Sequence, residues 1–382
     1  MRRLLFVIGS LELGGAEQHL VQVARGLKLR GWSPEFFLLA TGGPLSSRLI
    51  EAGIPIRGVP VCPWLDRIRN PRFRARCRLL ATALLLCWTM LRHRSTVVHF
   101  ILPSAYVIGG LAALVTMTKP RVMSRRSRNN YQNKHPKLTR IEKFLHPYMD
   151  RICGNSLVVL QDLKEEGAGA EQLRLIYNGV DLGRFVPGGG GAVVRQELKI
   201  GHDALVFACV ANLIPYKGHR DLIDALAEIR DLLPQPWRCL CIGRDDGIGP
   251  ALQAYAECRG VGDRISWLGS RADVAELLVA ADIGVLCSHE EGFSNAVLEG
   301  MAAALPMVVT DVGGNAEAIS DGVHGLVVPA HQPSLLAHAL LELARNPDRR
   351  TMGLEGRRRV ERNFSLAACV DQYERLYHEL LQ

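Results

Sequence analysis

Two glutamates eight positions apart are the side chains best placed for chemistry in this sequence. Glu291 and Glu299 enclose seven residues that follow an apolar run at 283–287. Ser294, between them, is a typical N-cap residue, so we predict a helix that starts there and continues to about Ala304. Free backbone N–H groups at such a helix start stabilise an anion, and the two carboxylates suit hydroxyl groups on either side of it. The alternative is an ordinary helix cap with a surface glutamate.

Two glycine-containing loops supply further candidates. Lys217 and Gly218 come soon after the apolar run 205–211, and Gly14 and Gly15 follow the first apolar run. A fixed ammonium group stabilises charge that develops on a departing phosphate, and glycine at a helix start lets a ligand approach the backbone. Each loop taken alone has an ordinary alternative, a solvated lysine in one case and a plain strand-to-helix turn in the other.

Short apolar runs alternate with helical patterns along the chain, which predicts an α/β protein with two parallel sheets covered on both faces. The runs lie at 4–9, 35–40, 96–101, 174–177, 205–211, 237–242, 265–268, 283–287, 306–310 and 325–329. Pro187 and the glycines at 188–191 indicate a linker. We therefore place one domain at 1–180 and a second at 190–364, and expect the final amphipathic helix, 366–382, to pack on the first.

The length of 382 residues is enough for two cores, and the charge is divided unevenly between them. Residues 1–150 contain 24 Lys and Arg but only 7 Asp and Glu, a net charge of +17, within an overall charge of +8. The basic half should therefore face an anionic partner. The sequence contains no run of about 18 apolar residues, which is the length needed to span a membrane. Ten scattered cysteines without a C-x-x-C pair indicate free thiols in the reducing cytoplasm.

Together, five segments resemble the motifs of glycosyltransferase family 4, a family of retaining enzymes. Glu291 and Glu299 match its E-x7-E signature. The other segments are G-G-A-E at 14–17, N-G-V-D at 178–181, P-Y-K-G at 215–218 and T-D-V-G-G at 310–314, with Glu317. They follow the family's order over nearly the whole chain. The resemblance implies the GT-B fold, in which two Rossmann-like domains face each other across a cleft.

The resemblance also implies a role for each matching residue. Glu291 would bind the donor sugar, Glu299 the nucleotide ribose, and Lys217 would neutralise the diphosphate. The other donor-binding residues would be Phe293, Ser294, Asn295, Gly14, Gly15 and Asn212. The co-substrate would be a nucleotide-diphosphate sugar, and the reaction would retain the anomeric configuration without a metal ion or another cofactor.

The sequence departs from the family pattern at two places. Members often have an arginine five or six residues before the loop lysine, where this chain has Asn212 and Ala211. Candidates for the second phosphate cation, by position alone, are Arg125, Arg126 and Arg244. Many members also have a catalytic histidine in the first domain, which His99 matches best unless the position belongs to the following strand, at 124–126. The alternative for His99 is a histidine packed at a strand end.

A run of arginines precedes the apolar stretch 79–91. The members are Arg67, Arg69, Arg72, Arg74, Arg76 and Arg78. Near an anionic leaflet each could gain on the order of 1 kcal/mol, so we hypothesise that the first domain docks peripherally on the inner face of the cell membrane. We expect most of 79–91 to be buried helix. No recognised motif or alternation of aromatic and basic residues supports nucleic-acid binding.

These observations predict transfer of a sugar to a lipid-linked or polysaccharide intermediate of cell-surface glycan synthesis, such as lipopolysaccharide. The second domain would hold the donor and the first most of the acceptor. Two alternatives remain: a sugar-nucleotide epimerase of GT-B fold, which needs no acceptor, and a non-catalytic nucleotide-sugar-binding protein, which the missing arginine would favour. A serine hydrolase is not indicated, because no G-x-S-x-G segment is present.

Overall fold

The computed structural model describes residues 2–59, 67–93, 96–129, 131–186 and 189–382. The chain divides into two compact units, one formed by Met1–Tyr177 with Leu366–Gln382 and the other by Asn178–Ser365. The first crossing between them thus falls just before the N-G-V-D segment. Residues 187 and 188 of the predicted linker lie outside the described residues, and the glycines at 189–191 belong to the second unit.

The first unit is built on a parallel sheet of seven strands in the order β3-β2-β1-β4-β5-β6-β7. The strands are β1 (Arg2–Ile8), β2 (Trp32–Leu38), β3 (Ile56–Arg57), β4 (Val97–Ile101), β5 (Arg121–Arg125), β6 (Arg151–Gly154) and β7 (Leu173–Leu175). Residues 4–8 at the centre of the sheet are at most 1% exposed. Burial on both faces explains why β1 has a continuous apolar run rather than an alternating pattern.

Three strands of this sheet do not appear among the apolar runs of the sequence, because each lacks a long one. β3 has two residues and β6 has four. β5 contains Arg121, Ser124 and Arg125, yet all five of its residues are buried. Its charged and polar side chains are accommodated by partners in the fold rather than by solvent, which hydropathy cannot indicate.

The helices of the first unit that precede the crossing cover its sheet. They are α1 (Gly15–Leu29), α2 (Ser46–Glu51), α3 (Pro71–His93), α4 (Pro103–Val115), α5 (Tyr131–Lys134), α6 (Pro136–Leu145) and α7 (Leu157–Glu165). Among the residues that the structure describes, no helix is both long enough and apolar enough to cross a bilayer.

The expectation that most of 79–91 is buried is wrong. On α3, the side chains of Thr82, Leu86, Thr89 and Met90 are buried, and the Thr116 hydroxyl donates to the Met90 sulfur at 3.6 Å. Much of the remaining surface of the helix is open, and its exposed large apolar side chains are Phe73, Leu79, Leu80, Leu84, Trp88 and Leu91. The buried side chains on one face of the helix are enough to attach it to the first unit, and the apolar side chains on its other faces remain uncovered.

The second unit contains a parallel sheet of six strands in the order β10-β9-β8-β11-β12-β13. The strands are β8 (Leu205–Val210), β9 (Trp237–Ile242), β10 (Ile265–Gly269), β11 (Ile283–Leu286), β12 (Met307–Thr310) and β13 (Gly325–Val328). Every one coincides with an apolar run of the sequence. The predicted α/β class with parallel sheets is therefore confirmed.

Helices connect these strands and surround the second sheet. They are α8 (Gly191–Glu197), α9 (His219–Ile229), α10 (Gly249–Cys258), α11 (Val274–Val279), α12 (Asn295–Ala302), α13 (Asn315–Ala318), α14 (Pro333–Arg345) and α15 (Arg349–Asn363). The segments between the strand ends and the helix starts carry most of the candidate residues.

The chain returns to the first unit with a last helix, α16 (Leu366–Glu379). Its buried side chains pack on α1, where a Cβ at Gly26 would lie 2.7 Å from a methyl carbon of Val370. The Trp32 indole donates to Glu374 at 3.1 Å. This helix therefore completes the hydrophobic core on one face of the first sheet.

Candidate active site

Glu291 lies in the loop between β11 and α12, at the carboxyl end of the second sheet. β11 ends at Leu286 and α12 begins at Asn295. The Ser294 side chain accepts a hydrogen bond from the backbone N–H of Val297, which confirms the predicted N-cap. The other first-turn N–H groups of α12 lack intrahelical acceptors, so the helix start carries partial positive charge beside the loop of Glu291.

Lys217 and Glu291 form an ion pair at this edge of the sheet. Lys217 Nζ lies 2.6 Å from Glu291 Oε1, and the side chains are 19% and 11% exposed. The Ser288 hydroxyl donates to the same oxygen at 2.7 Å. Burial by itself would lower the pKa of Lys217, but the Glu291 carboxylate outweighs burial and raises the pKa above its usual value. The ammonium group is therefore charged at neutral pH.

Two glycines let neighbouring loops lie directly against the Glu291 loop. Gly218 has φ +69°, and a Cβ there would lie 1.9 Å from the carbonyl oxygen of Cys287. Gly313 has φ +54°, and its Cβ would lie 2.2 Å from the carbonyl oxygen of Glu291. A larger residue at either position would separate the loops. The P-Y-K-G and T-D-V-G-G segments are thus needed for close packing around Glu291.

Glu299 lies within α12, one and a half turns from its start. Its side chain is partly exposed, yet protein atoms surround the carboxyl group closely enough for burial to raise its pKa to about 7, with a smaller opposing effect from the Arg184 charge. Among the described residues, no side chain donates a hydrogen bond to it. A carboxyl group in this state can accept or donate hydrogen bonds near neutral pH.

Asn178 fixes the loop between the two glutamates, a role that the sequence did not suggest. Its amide nitrogen donates to the carbonyl oxygen of Phe293 at 2.8 Å and to Asn295 Oδ1 at 2.7 Å. The side chain is 3% exposed. The available signal was the N-G-V-D segment itself, which matched the family without indicating what its asparagine binds.

Asn212 and Arg244 lie at the ends of neighbouring strands in the second unit. Asn212 Oδ1 accepts a hydrogen bond from the backbone N–H of Arg244 at 3.1 Å. The Arg244 guanidinium group binds Asp246, with Nε 2.7 Å from Oδ1. Asn212 therefore ties the two strand ends together, and the Asp246 carboxylate neutralises the charge predicted to serve a phosphate. Donor binding by either residue stays a prediction.

In the first unit, Gly14 and Gly15 form the start of α1, as predicted. Gly14 is the N-cap, and the Glu17 carboxylate folds back over it, because a Cβ at Gly14 would lie 2.1 Å from Glu17 Oε2. Burial raises the pKa of Glu17, with opposing contributions from a backbone hydrogen bond and from Arg126. The carboxylate covers the helix start, so a ligand at these glycines would have to displace it.

His99 lies in β4 and is fully buried. Its Nδ1 is 2.7 Å from the Tyr377 hydroxyl and its Nε2 is 2.7 Å from the Ser124 hydroxyl. Burial, together with the Arg126 charge, lowers its pKa to about 3, so the imidazole is neutral. These contacts favour the alternative of a packed histidine; a catalytic role stays a prediction.

Two candidate arginines are neighbours in sequence, one at the end of β5 and one directly after it, but they differ in their surroundings. Arg125 is 2% exposed, lies 2.7 Å from Glu142 and also pairs with Glu166. Two buried carboxylates already neutralise it, which argues against the prediction that it binds phosphate. Arg126 is 9% exposed, and its charge acts on both Glu17 and His99. It thus lies near the Glu17 carboxylate of the G-G-A-E segment.

Two family models match successive parts of the chain. The model described as Glycosyltransferase Family 4 covers residues 13–184, and the model described as Glycosyl transferases group 1 covers residues 204–346. The chain belongs to glycosyltransferase family 4. The resemblance drawn from the five motifs is therefore confirmed over both units.

Curated relatives of this family 4 glycosyltransferase include proteins named D-inositol 3-phosphate glycosyltransferase. The protein from Actinosynnema mirum is 28% identical over 365 residues, which cover 89% of this chain and 86% of the relative. The protein from Corynebacterium efficiens is 32% identical over 239 residues, 60% of this chain. In that second case the chain spans only 56% of the relative's length.

Among solved structures, the chain is similar to Alr3699/HepE from Anabaena in complex with UDP and glucose. The TM-score is 0.86 with 21% sequence identity, and the match covers 100% of both chains. This likeness shows the fold, which is GT-B with two Rossmann-like domains. The predicted fold class is thereby confirmed.

Within this glycosyltransferase, each unit gathers its own set of predicted residues. The second unit brings Lys217, Glu291 and the start of α12 to one sheet edge, with Glu299 farther along the helix. The first unit places Gly14 at a helix start, with Glu17 over it and Arg126 near that carboxylate. Ser288, which donates to Glu291, was missed because a serine after a strand carries no distinctive spacing.

Proposed function

We propose that this protein transfers a glycosyl group from a nucleoside-diphosphate sugar to an acceptor hydroxyl group, with retention of the anomeric configuration. The Lys217–Glu291 pair beside the start of α12 is the observation that supports this best. An ammonium group and a helix start together bind a diphosphate, and a carboxylate binds sugar hydroxyl groups. All three lie at the carboxyl ends of parallel strands, where ligands bind in sheets of this type.

In the proposed reaction, the acceptor oxygen attacks the anomeric carbon from the face on which the diphosphate leaves. The bond from the anomeric carbon to the diphosphate oxygen breaks through an oxocarbenium-like transition state. The acceptor proton passes to the leaving phosphate. Lys217 stabilises the charge that develops there, and Glu291 holds a sugar hydroxyl group. The charge is stabilised by protein groups, so we propose that transfer needs no metal ion or other cofactor.

The proposed donor is a UDP sugar, since the structurally similar Anabaena protein is bound to UDP and glucose. Glu299 would bind the ribose hydroxyl groups, because its carboxyl group has no competing hydrogen bond from the described side chains. Thermal-shift measurements with UDP, GDP, ADP and their sugar conjugates test this. We expect stabilisation by the uridine compounds only.

Glu299→Ala should remove that stabilisation, whereas Glu342→Ala should keep it, because Glu342 is an exposed glutamate on α14 of the same unit. Stabilisation by a nucleotide sugar without transfer to any acceptor would favour the non-catalytic alternative. Interconversion of the donor sugar without release of the nucleotide would favour the epimerase.

We further propose that the acceptor is membrane-associated, and that α3 docks on the inner leaflet. Phe73, Leu80, Leu84, Trp88 and Leu91 follow one another at helical spacing and are each at least 53% exposed. Arg76 lies on the same face, and further exposed arginines lie in and around the first turn of α3. An amphipathic helix with arginines and an exposed tryptophan suits the interface of an anionic membrane. The protein would then be cytoplasmic and peripheral.

Co-sedimentation with vesicles containing anionic lipid at physiological salt tests this docking. We expect binding that falls when Leu84 and Trp88 are both changed to Gln, and little change for Leu29→Gln, which alters a 90% exposed leucine elsewhere in the first unit. Equal binding to neutral vesicles would contradict the proposal. So would a concentration-dependent dimer that the double variant disrupts, because α3 would then face a second copy.

An acceptor assay separates a membrane-associated acceptor from a soluble one. The relatives named D-inositol 3-phosphate glycosyltransferase make that phosphorylated polyol the soluble compound to compare. Transfer from UDP sugar to a membrane glycolipid extract would support the proposal. Transfer to D-inositol 3-phosphate alone would replace it with a soluble acceptor.

A further inference from the structure

Asp221, His289 and His331 come together at the carboxyl edge of the second sheet, outside the set of residues used so far. Asp221 lies in the first turn of α9, His289 follows β11, and His331 follows β13. One ligand atom from each residue lies within 4.8 Å of the others. Two loops and the first turn of a helix thus direct two imidazoles and a carboxylate to one place.

The contacts within this group are close. His289 Nε2 lies 2.8 Å from Asp221 Oδ2, and the ring centroids of His289 and His331 are 3.7 Å apart at an interplanar angle of 34°. Asp221 and His289 are about one-fifth exposed, and His331 is exposed. The Asp221–His289 pair is therefore partly covered, whereas the His331 side chain is open to solvent.

Two imidazoles and one carboxylate form a donor set typical of divalent transition metals. Zinc sites that retain reactivity often have three protein ligands with an open fourth position, at bond lengths of about 2.0–2.2 Å. Those lengths put tetrahedral ligand atoms about 3.3 Å apart. The His289–Asp221 pair is already near this spacing, and the exposed His331 ring can complete it with a small movement. An ion would take the place of the hydrogen bond between His289 and Asp221.

We propose that Asp221, His289 and His331 bind one divalent transition-metal ion of the Zn²⁺ class, with the fourth position open to water. The backbone at His331 supports a functional constraint, because its φ of +60° is unfavourable for a residue other than glycine. Gly218 leaves room for the site, since a Cβ there would lie 3.2 Å from His289 Nε2.

The position of the site determines what the ion does. The backbone N–H of His289 donates to the Tyr216 carbonyl oxygen at 2.7 Å, and His289 precedes Glu291 by two residues. An ion held by His289, Asp221 and His331 therefore cross-links the Lys217 loop, the Glu291 loop and the segment after β13. We expect it to raise the melting temperature of the protein without being needed for transfer.

Titration of the untagged, full-length, chelator-treated protein with Co²⁺ tests the proposal. We expect one ion per chain with the visible absorption of a four-coordinate nitrogen and oxygen site, and displacement by Zn²⁺. His289→Ala, His331→Ala and Asp221→Asn should each weaken binding by more than about 100-fold, because even loss of an outer partner costs about 10–100-fold.

His338→Ala is the matched control, because His338 is an exposed histidine on α14 of the same unit. A cooperative thermal unfolding transition like that of the unmodified protein would show that a variant is folded, and the exposed His331 allows a substitution with little risk to the fold. Absence of Co²⁺ binding, or binding that the three variants leave unchanged, would overturn the proposal. The Co²⁺ readout uses no donor, so it stands or falls separately from the proposed transferase reaction.

Discussion

Lys217 and Glu291 are the two side chains whose partnership matters most at the scale of single residues. The ammonium group has one carboxylate at 2.6 Å, and that carboxylate has a second donor in Ser288. A diphosphate would compete with Glu291 for Lys217, and a sugar hydroxyl group would compete with Ser288 for Glu291. The pair is thus a preorganised arrangement in which each group can exchange a protein partner for a substrate partner.

Lys217→Ala should lower kcat by about 10²–10³-fold, because it removes a fixed charge from the leaving group. The effect on KM should be smaller. Steady-state kinetics with the UDP sugar identified by thermal shift would measure both. Lys199→Asn, which removes an exposed lysine from the same unit, should leave kcat unchanged. A similar loss in both variants would mean that overall charge, rather than this contact, is responsible.

Glu299 makes stability depend on pH in a predictable direction. Burial raises its pKa from the usual 4.5 to about 7. The folded state therefore binds the proton of Glu299 more tightly than the unfolded state does. The stability that this protonated group contributes is fully present below about pH 4.5 and is lost as the pH rises through about 7. It is on the order of 3 kcal/mol. Glu299→Gln should remove it.

Urea unfolding of both proteins at pH 5 and pH 8 measures this effect. The unmodified protein should lose more free energy of unfolding between the two pH values than Glu299→Gln does, and the difference is assigned to this carboxyl group. Identical pH dependence in the two proteins would show that Glu299 is ionised at neutral pH, as an ordinary surface glutamate would be.

Residue types predicted the site only where a motif specified a side chain. The sequence indicated Glu291, Lys217 and Ser294, and the structure brings them to one edge. It did not indicate that Asn178 would bind the Phe293 carbonyl, because that hydrogen bond joins positions 115 apart in sequence. Likewise, the two carboxylates around Arg125 come from α6 and the end of α7, and no local pattern links them to β5.

At the scale of elements, loops rather than helices determine the geometry of the second unit's edge. The P-Y-K-G loop lies against the end of β11 through Gly218, and the T-D-V-G-G loop lies against Glu291 through Gly313. Both glycines adopt positive φ and face backbone carbonyl groups. A side chain at either position would meet a fixed oxygen and not a flexible side chain, so repacking offers little relief.

Gly218→Ala should therefore destabilise the protein by several kcal/mol and reduce transfer by displacing Lys217. Gly322→Ala is the matched control, because Gly322 has a nearly identical φ of +72° with nothing within 4 Å of the added Cβ. That variant should cost only the left-handed backbone, about 1–2 kcal/mol. Urea unfolding of both variants gives the comparison, and equal losses would mean that the Cys287 contact does not matter.

The sequence predicted elements well where burial is continuous and poorly where it is partial. All six strands of the second sheet coincide with apolar runs, because both faces are covered. β5 is not an apolar run because its buried arginines are satisfied by tertiary partners, and α3 was expected to be buried because hydropathy does not show what lies beside a helix. Charge satisfaction and exposure are both properties of the neighbours, which come from distant parts of the chain.

At the scale of the whole molecule, the two units do not correspond to two successive halves of the chain. Residues 366–382 belong to the first unit although they follow the whole of the second. Val370, Tyr373, Leu376 and Tyr377 on α16 are each at most 3% exposed, and Tyr377 also binds His99. Burying side chains of this size contributes about 1.5–3 kcal/mol each, so the helix stabilises the first unit substantially.

Deletion of residues 366–382 should destabilise the first unit and spare the second. Hydrogen exchange should show loss of protection in β1, β2 and β4, whereas β8, β11 and β12 should remain protected. Thermal stabilisation by UDP should persist, since Lys217, Glu291 and Glu299 all lie in the second unit. Equal protection of the first sheet in the truncated and full-length proteins would contradict this account of α16.

The late position of α16 in the chain also determines the order in which the two units can be completed during synthesis. A ribosome that adds about 5–20 residues per second needs tens of seconds at the slower rates to pass from Tyr177 to Leu366, and during that interval the face of the first sheet that α16 covers lacks its last helix. The part of the protein that is translated first is therefore completed last. A nascent chain would carry an unfinished N-terminal core while its C-terminal sheet is already able to fold, which makes that interval the period when chaperones would be most needed.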